Sequence, residues 1–354
     1  KKSSFIFFLL ININFISLFA GEVSTYQKGW EGISSNNRAD ARKYFTQAVS
    51  NSSTNSDALL SLCLLNWYEQ KDESALESFR QFYESSPNPY PYIYAVNSLS
   101  FMRETSKKKL AFVEKIVADP KMNGTIKTLL YEELGEYYTA NNNQKKSKEW
   151  FSKMGAIDNW QILGTFDNTS GSGFSKDWGA VEKASTKEVF KNKVDADVKW
   201  YTPPFNKANH WFYFDYHFSL NSTIIYAQTF VTSPADQTVY LRIGTSGSLK
   251  AWVNDALVLS VPEERNCDLD IYAAQVKLKK GNNRLLIQIG QSEIDNANFM
   301  VRLTDVDAHP IEGLTFSSEY ASYKKSNEQP TTSEPLPFFV EEFFLNKIKE
   351  SPQN

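Results

Sequence analysis

The chain has 354 residues, a length that allows two domains with separate hydrophobic cores. Its 38 Lys and Arg residues are nearly balanced by 41 Asp and Glu residues, which leaves a formal net charge of −3. Since binding to nucleic acid requires a surplus of cations that displaces counterions, this balance argues against a nucleic-acid partner.

Residues 1–20 have the pattern of an export signal. Two lysines precede an apolar stretch from Phe5 to Ala20, and Gly21 supplies a small residue after the expected cleavage point. Asparagines interrupt the stretch, which is shorter than the roughly 20 apolar residues of a membrane span. We expect a signal peptide, a mature chain exported to the periplasm or cell surface, and no transmembrane segment in that mature chain. A buried N-terminal helix is the alternative.

Alanine and phenylalanine recur with a period of about 34 residues in the first half of the chain. The pair Ala41 and Phe45 returns 34 residues later as Ala75 and Phe79. Two further copies are marked by phenylalanines, at Phe112 and Phe151. Small residues allow paired helices to approach closely, and Pro-rich or Asn-rich turns end each helix. The period predicts helical hairpins, with an irregular helical bundle as the alternative.

These residues resemble the tetratricopeptide repeat (TPR), a helix–turn–helix unit of about 34 residues. The resemblance covers 22–155 and implies an α-helical solenoid that binds a protein partner in the groove lined by its first helices. It places six residues on that surface: Tyr26, Trp30, Leu60, Leu64, Glu132 and Glu136. Because basic residues are absent from these positions, an acidic C-terminal tail is a disfavoured partner. The alternative is that the repeats only support the next domain.

From Ile157 onward the apolar period changes to the two-residue alternation typical of strands. Val239, Leu241 and Ile243 lie on one side of such a strand. The pattern returns at 249–253, 276–278, 285–289 and 299–303. Turn-forming residues separate these segments and no helix pattern intervenes. We expect about eight strands in an antiparallel β-sandwich over 157–307.

Several segments of this half resemble the galactose-binding-like jelly rolls of secreted bacterial proteins. They are NWQILGTF at 159–166, VYLRIGTSGSLKAWVND at 239–255 and VKLKKGNNRLLIQIG at 276–290. The resemblance implies a jelly roll over 157–307. The fold class expected for the whole chain is therefore a TPR-like α-helical solenoid followed by an antiparallel β-sandwich.

A carbohydrate-binding patch is predicted on the outer faces of the strands. Sugar binding requires a flat aromatic ring beside hydrogen-bonding polar groups. The alternation places Trp252, Tyr240, Arg242, Lys250 and Arg302 on the faces that point away from the core. The alternative is that helices or the repeat domain cover these faces.

The glycine-rich stretch 164–179 lacks the features of a phosphate-binding loop. Such a loop places a lysine directly after its second glycine, whereas Phe174 follows Gly173 here. No helix pattern follows that would direct its N-terminus at an anion. We expect a loop that leaves the first strand, and we predict no phosphate or nucleotide cofactor.

Three histidines and two cysteines are scattered through the chain, so no zinc site and no nucleophile–base pair is predicted. The acidic loop 263–270 offers hard oxygen ligands, and a structural calcium ion is one interpretation of it. Arg265 at its centre opposes a cation, and a solvated loop is the alternative. No other cofactor and no catalytic residue is predicted.

The composition changes after Asp307. Residues 308–337 are rich in Pro, Ser, Thr and Glu toward their end, which predicts a linker. Residues 338–354 form an apolar-striped helix for which the sequence offers no packing partner. We therefore expect the start of a further helical element, truncated from a longer protein.

The order of repeats, jelly roll and linker resembles the N-terminal part of long exported bacterial proteins that continue into a transglutaminase-like domain. None of that domain's Cys, His and Asp catalytic residues is placed in this chain. We predict a non-catalytic exported binding or adaptor module, with repeats that contact a protein partner or neighbouring domain. The jelly roll would contact carbohydrate or dock a domain. The alternatives are an accessory part of a larger transglutaminase-like or glycoside-active enzyme, and a purely structural module.

Overall fold

The computed structural model describes residues 24–51, 55–97, 107–204, 207–218, 222–265, 268–294, 297–326 and 333–350. The predicted signal peptide lies outside the described residues. In the described part of the chain, eight α-helices precede an antiparallel β region and one α-helix follows it. The expected order of helices and then strands is confirmed. None of the helices in these ranges combines the length and apolar character that crossing a bilayer requires.

The helices are α1 (Thr25–Ser34), α2 (Arg38–Ala48), α3 (Asn55–Tyr68), α4 (Asp72–Ser85), α5 (Tyr90–Asn97), α6 (Lys107–Ile116), α7 (Gly124–Ala140), α8 (Gln144–Phe151) and α9 (Phe339–Glu350). The strands are β1 (Gln161–Asp167), β2 (Phe190–Lys191), β3 (Asp197–Val198), β4 (Phe212–Tyr213), β5 (Thr223–Ser233), β6 (Gln237–Thr245), β7 (Ser248–Val253), β8 (Ala256–Val261), β9 (Tyr272–Leu278), β10 (Gly281–Gln291), β11 (Asn298–Thr304) and β12 (Thr315–Ser317).

The repeated phenylalanines lie in the second helix of each helix pair. Phe45 in α2 covers Gly29 of α1 so closely that a Cβ on that glycine would lie 2.4 Å from the ring. Phe151 in α8 covers Gly135 of α7 in the same way, at 2.3 Å. The first and last pairs therefore share one packing rule, in which a glycine lets a phenylalanine of the following helix approach the backbone. In these two pairs the phenylalanine packs within its hairpin, whereas Phe79 of α4 also meets Phe112 of α6 in the next pair, with ring centroids 6.2 Å apart.

Two antiparallel sheets share one hydrophobic core in the second half. The larger sheet has the order β1-β5-β10-β7-β8, with β12 also paired to β5, and the smaller has the order β4-β11-β6-β9. Residues such as Ala251 and Ile287 of the larger sheet and Leu241 and Val301 of the smaller sheet are fully buried in this core. Strands β2 and β3 form a separate short pair.

The chain forms two compact units. Unit 1 comprises Lys1–Phe112 and Phe339–Asn354, and unit 2 comprises Val113–Phe338. The predicted domain boundary between 155 and 157 differs from this division, because α7 and α8 belong to the same unit as the sheets. Their hairpin shares a buried cluster with the smaller sheet, which includes Phe151, Met154, Trp211, Leu269 and Met300.

The predicted linker is an ordered arm on unit 2, which we call the C-terminal arm (315–326 and 333–338). It begins as β12, which pairs with β5. Further on, the backbone N–H of Ser326 donates to the carbonyl of Asn254, and that of Leu336 donates to the carbonyl of Ala273. These bonds hold the arm against strand ends, so the prediction of a free linker over 308–337 is wrong for the described residues.

The expected helix after 338 is present as α9, but it does have a packing partner. Two of its phenylalanines contact Tyr92 of α5 within unit 1. The sequence pattern showed the apolar stripe of α9 but did not show which of the preceding helices would receive it.

Candidate functional site

Helix α7 is joined to the smaller sheet at its N-terminus by backbone contact. Asn123 caps the helix by accepting from the N–H of Thr125. The N–H of Gly124 donates to the carbonyl of Asp307 at 2.8 Å. A Cβ at Gly124 would lie 2.0 Å from the carbonyl oxygen of Ala308, so only glycine allows this approach. The start of α7 is therefore built into the sheet unit.

Arg302 is fully buried beneath α7, where its positive charge is surrounded by acceptors of the protein. Its guanidinium donates to the carbonyls of Met154 and Ala308 and to the carboxylate of Asp270. The same carboxylate oxygen accepts from the hydroxyl of Thr125 in α7 at 2.7 Å. All of these partners are groups of the protein itself, so the prediction that Arg302 binds an external ligand is wrong: the guanidinium satisfies buried acceptors instead.

Arg242 lies directly across from Arg302, on the neighbouring strand β6. It is 9% exposed and donates to the hydroxyl of Thr304 and to the carbonyl of Val306. Its guanidinium carbon lies 5.7 Å from the centre of the half-buried Tyr240 ring. Tyr240 and Arg242 are therefore neighbours as predicted, but the polar groups of Arg242 already bond within the protein.

Trp252 lies away from these three residues, on the larger sheet. It is 9% exposed and packs in a second buried cluster with Tyr226 and Leu286. Part of this cluster comes from the segment between β1 and β5, which we call the covering segment (178–200). It contributes Trp178, Ala180, Val181, Phe190, Val198 and Trp200. The predicted carbohydrate patch is therefore wrong, because its tryptophan is covered and lies on a different sheet from Tyr240, Arg242 and Arg302.

Arg284 holds the covering segment in place, a role that was not predicted from the sequence. Its buried guanidinium donates to the carbonyls of Ala180 and Val181, to the amide oxygen of Gln228 and to Asp255. The alternation of the strand placed Arg284 on the outer face. A buried arginine on that face signals a covering layer, since a charge is buried only with partners.

Lys250, the fifth member of the predicted patch, is also directed inward. Its ammonium donates to the carbonyl of Phe174 at 2.8 Å. Burial lowers the pKa of Lys250. After β1 the glycine-rich stretch is thus a loop, as expected from the sequence. The carbonyl of Phe174 bonds this loop to the outer face of the larger sheet.

Glu132 and Glu136 of α7 contact the loop before β4, which contradicts their predicted place in a repeat groove. The indole N–H of Trp211 donates to Glu132 at 2.9 Å, and the amide of Asn209 donates to Glu136 at 3.1 Å. Burial, helped by the charges of Glu136 and Glu133, raises the pKa of the Glu132 carboxyl to about 7. The hydrogen bond from Trp211 acts in the opposite direction.

His210 lies beside this cluster with both ring nitrogens near oxygen acceptors. Its Nδ1 is 2.5 Å from a carboxylate oxygen of Asp158, and its Nε2 is 3.1 Å from the carbonyl of Phe151. Both nitrogens thus face groups of the protein itself. This arrangement positions the loop against α8 and leaves no ring nitrogen directed at a substrate.

The acidic loop 263–270 does not gather its carboxylates around one point. Glu264 accepts from the hydroxyl of Ser292 and from two backbone N–H groups, whereas Asp270 pairs with Arg302. Cys267 lies outside the described residues. Among the described residues, no group of three or more His, Cys, Asp or Glu side chains is placed to hold a metal ion.

The remaining predicted residues lie together in unit 1. The rings of Tyr26 and Trp30 in α1 both pack on Phe45, with centroids 5.8 and 5.6 Å from it. The hydroxyl of Tyr26 reaches Ser61 of α3 at 3.4 Å. Leu64, nearly one turn beyond Ser61, is half-buried. These three predicted residues therefore belong to adjacent helices of one unit, each with part of its surface in solvent.

Tyr92 of α5 extends this surface, although it was not predicted from the sequence. Burial, helped by the charges of Asp57 on α3 and Tyr26 on α1, raises the pKa of Tyr92 to about 12. The Tyr92 ring also meets Phe82 of α4, with centroids 5.1 Å apart, so α5 packs on the preceding helix pair. We call the surface formed by Tyr26, Trp30, Leu64 and Tyr92 the first-helix face. The signal in the sequence is the aromatic run YPYIY at 90–94, which follows a proline-containing turn.

No protein-family model matches the chain, and no curated protein matches it. A β-glucosidase from Kluyveromyces marxianus in complex with glucose is similar over 41% of this chain and 16% of its own, with 12% identity and a TM-score of 0.26. An anti-sigma factor domain-containing protein from Clostridium clariflavum is similar over 46% of this chain and 48% of its own, with 11% identity and a TM-score of 0.29. Likenesses this low support no conclusion on fold or activity.

Proposed function

We propose that the protein is a non-catalytic exported adaptor that contacts a protein partner through the first-helix face. In this proposal the helix pairs of unit 1 form a TPR-like solenoid. The sheets of unit 2 form a galactose-binding-like jelly roll that acts as a rigid platform. The observation that carries the proposal is the first-helix face itself, where aromatic and aliphatic side chains of three helices remain partly exposed.

The polar groups of unit 2 support this choice over a glycan-binding or catalytic role. Arg302, Arg284 and Lys250 bond to internal carbonyls and carboxylates. Glu132 and His210, which have the chemistry of acid–base groups, likewise contact internal partners. A binding or reactive site requires polar groups that converge on a space open to a ligand, and these groups converge on the protein.

A peptide library displayed on phage and panned against the full chain tests the proposal. Enriched peptides should bind Trp30→Ala and Leu64→Glu at least about tenfold more weakly than the wild type, because both changes remove apolar contact area from the face. Tyr216→Ala is the control, since Tyr216 is an exposed aromatic residue that belongs to unit 2 and not to the first-helix face. Circular dichroism of each variant establishes that the helices are retained.

Two results would contradict the proposal. Peptides that bind all variants equally would place the binding surface elsewhere on the protein. A glycan array that finds a bound carbohydrate, with no peptide enriched, would instead favour a carbohydrate-directed role on a surface other than the one containing Trp252.

A further inference from the structure

Helix α9 lies on the first-helix face by way of two adjacent aromatic side chains. The rings of Phe343 and Phe344 meet the Tyr92 ring edge to face, with centroids 5.4 and 5.3 Å from it. Val340, one turn earlier in α9, is 6% exposed. The positions of Val340, Phe343 and Phe344 follow the i, i+3, i+4 spacing by which an amphipathic helix is anchored in a groove. The chain thus supplies its own occupant for part of this surface.

The packing of α9 leaves apolar surface unused. Leu345 and Ile348 are 47% and 45% exposed and lie three residues apart, on one side of the helix. Acidic residues occupy the first turn of α9 and basic residues the last turn, which suits the helix dipole. A helix of this length depends mainly on packing for its stability, so release from Tyr92 would also loosen its fold.

We propose that α9 is the intramolecular occupant of a helix-binding surface, and that the partner of unit 1 is an amphipathic helix with two adjacent aromatic residues. Such a partner helix displaces α9 from Tyr92 and extends along the rest of the first-helix face toward Tyr26 and Trp30. The existence of a partner rests on the proposed function, whereas the recognition chemistry rests on the contacts of α9.

The covalent connection of α9 to the protein makes it a strong competitor. A segment tethered by a short linker acts at an effective concentration in the millimolar range. A free helix at micromolar concentration therefore displaces α9 only when it binds more tightly than α9 does, or when the anchors of α9 are removed. The partner must accordingly offer contacts beyond the aromatic pair, and the half-buried surface of Trp30 and Leu64 is placed to receive them.

A fluorescently labelled synthetic peptide of residues 336–350 tests this inference by fluorescence anisotropy with the full chain. The wild type should bind the peptide at least about tenfold more weakly than the double variant Phe343→Ala and Phe344→Ala, whose own α9 lacks its anchors. In the double-variant protein, adding Tyr92→Ala should abolish peptide binding. Adding Tyr92→Phe should preserve it, because the ring remains.

Matched controls separate recognition from misfolding. Tyr216→Ala, at an exposed tyrosine of unit 2, should leave binding unchanged in the double-variant protein, and a peptide with alanine in place of both phenylalanines should not bind. Equal binding of the peptide to the wild type and the double variant would overturn the inference, as would undiminished binding after Tyr92→Ala. If this test fails while library peptides still depend on Trp30, only the role of α9 is lost. If this test succeeds but no library peptide depends on Trp30, the proposal of a protein partner is wrong and α9 is only an internal packing element.

Discussion

Replacing Glu132 by glutamine should remove a loss of stability that accompanies rising pH. Burial is the main reason that the pKa of Glu132 is raised from 4.5 to about 7. A folded-state pKa above the unfolded-state value means that the folded protein holds the proton more tightly. The stabilisation is therefore complete below about pH 4.5 and is lost as the pH rises through about 7. Glutamine stays neutral across this range, and its amide oxygen still accepts the N–H of Trp211.

The size of the effect follows from the two pKa values of Glu132. One pKa unit corresponds to about 1.4 kcal/mol, so a change from 4.5 to about 7 gives at most about 3 kcal/mol. Glu132 retains some contact with water, and solvent screening reduces this value. At pH 8 we expect the free energy of unfolding of Glu132→Gln to exceed that of the wild type by about 1–3 kcal/mol. At pH 4.5 the two should agree within about 1 kcal/mol.

Urea unfolding followed by circular dichroism between pH 4.5 and 8 measures this difference. Glu149→Gln is the control, since Glu149 is an exposed glutamate on the adjacent helix α8 and its replacement should leave the pH dependence unchanged. The reasoning is refuted if Glu132→Gln and the wild type lose stability in parallel as the pH rises. A variant that is less stable than the wild type at pH 8 would also refute it, because the carboxylate would then stabilise the fold.

Two further substitutions test the buried contacts of unit 2. Arg302→Met should cost about 3–5 kcal/mol in chemical unfolding because it leaves the Asp270 carboxylate buried without its cation, and adding Asp270→Asn should recover part of that loss. An unchanged unfolding midpoint for Arg302→Met would mean that water solvates the Asp270 carboxylate, so that it does not depend on Arg302. Trp252→Ala should cost about 3–5 kcal/mol by leaving a cavity under the covering segment, whereas Tyr216→Ala, at an exposed tyrosine, should cost less than about 0.5 kcal/mol. A loss below about 1 kcal/mol for Trp252→Ala would contradict its buried position.

Most of the helices and strands were predicted from the periodicity of the sequence. The helix pairs follow from the period of about 34 residues and the strands from two-residue alternation. The repeated phenylalanines lie in second helices, where Phe45 and Phe151 pack on glycines of the preceding helix. The outer faces could not be assigned in this way. Alternation shows that Trp252 and Leu249 point to opposite sides of a strand, but it does not show whether the outer side meets solvent or another layer.

The domain boundary and the buried ion pair depend on contacts that are distant in sequence. The change of period at Ile157 marks a change of secondary structure, whereas the compact unit begins at Val113 because α7 packs on the smaller sheet. The two-residue alternation of the strand predicts that Arg302 faces outward. Its burial depends on Thr125 and Asp270, which lie 145 residues apart along the chain, and no local pattern joins them.

We propose that unit 1 binds the partner because its apolar side chains remain partly exposed. In unit 2, the predicted ligand residues Arg302 and Trp252 each complete a layer that covers one of the two sheets, so removing either should disturb the fold before it disturbs binding. In unit 1, Trp30 and Leu64 keep part of their apolar surface in solvent on helices that already pack well through Phe45. Changes on that face should therefore affect binding with little loss of stability, which is the separation expected of a recognition surface.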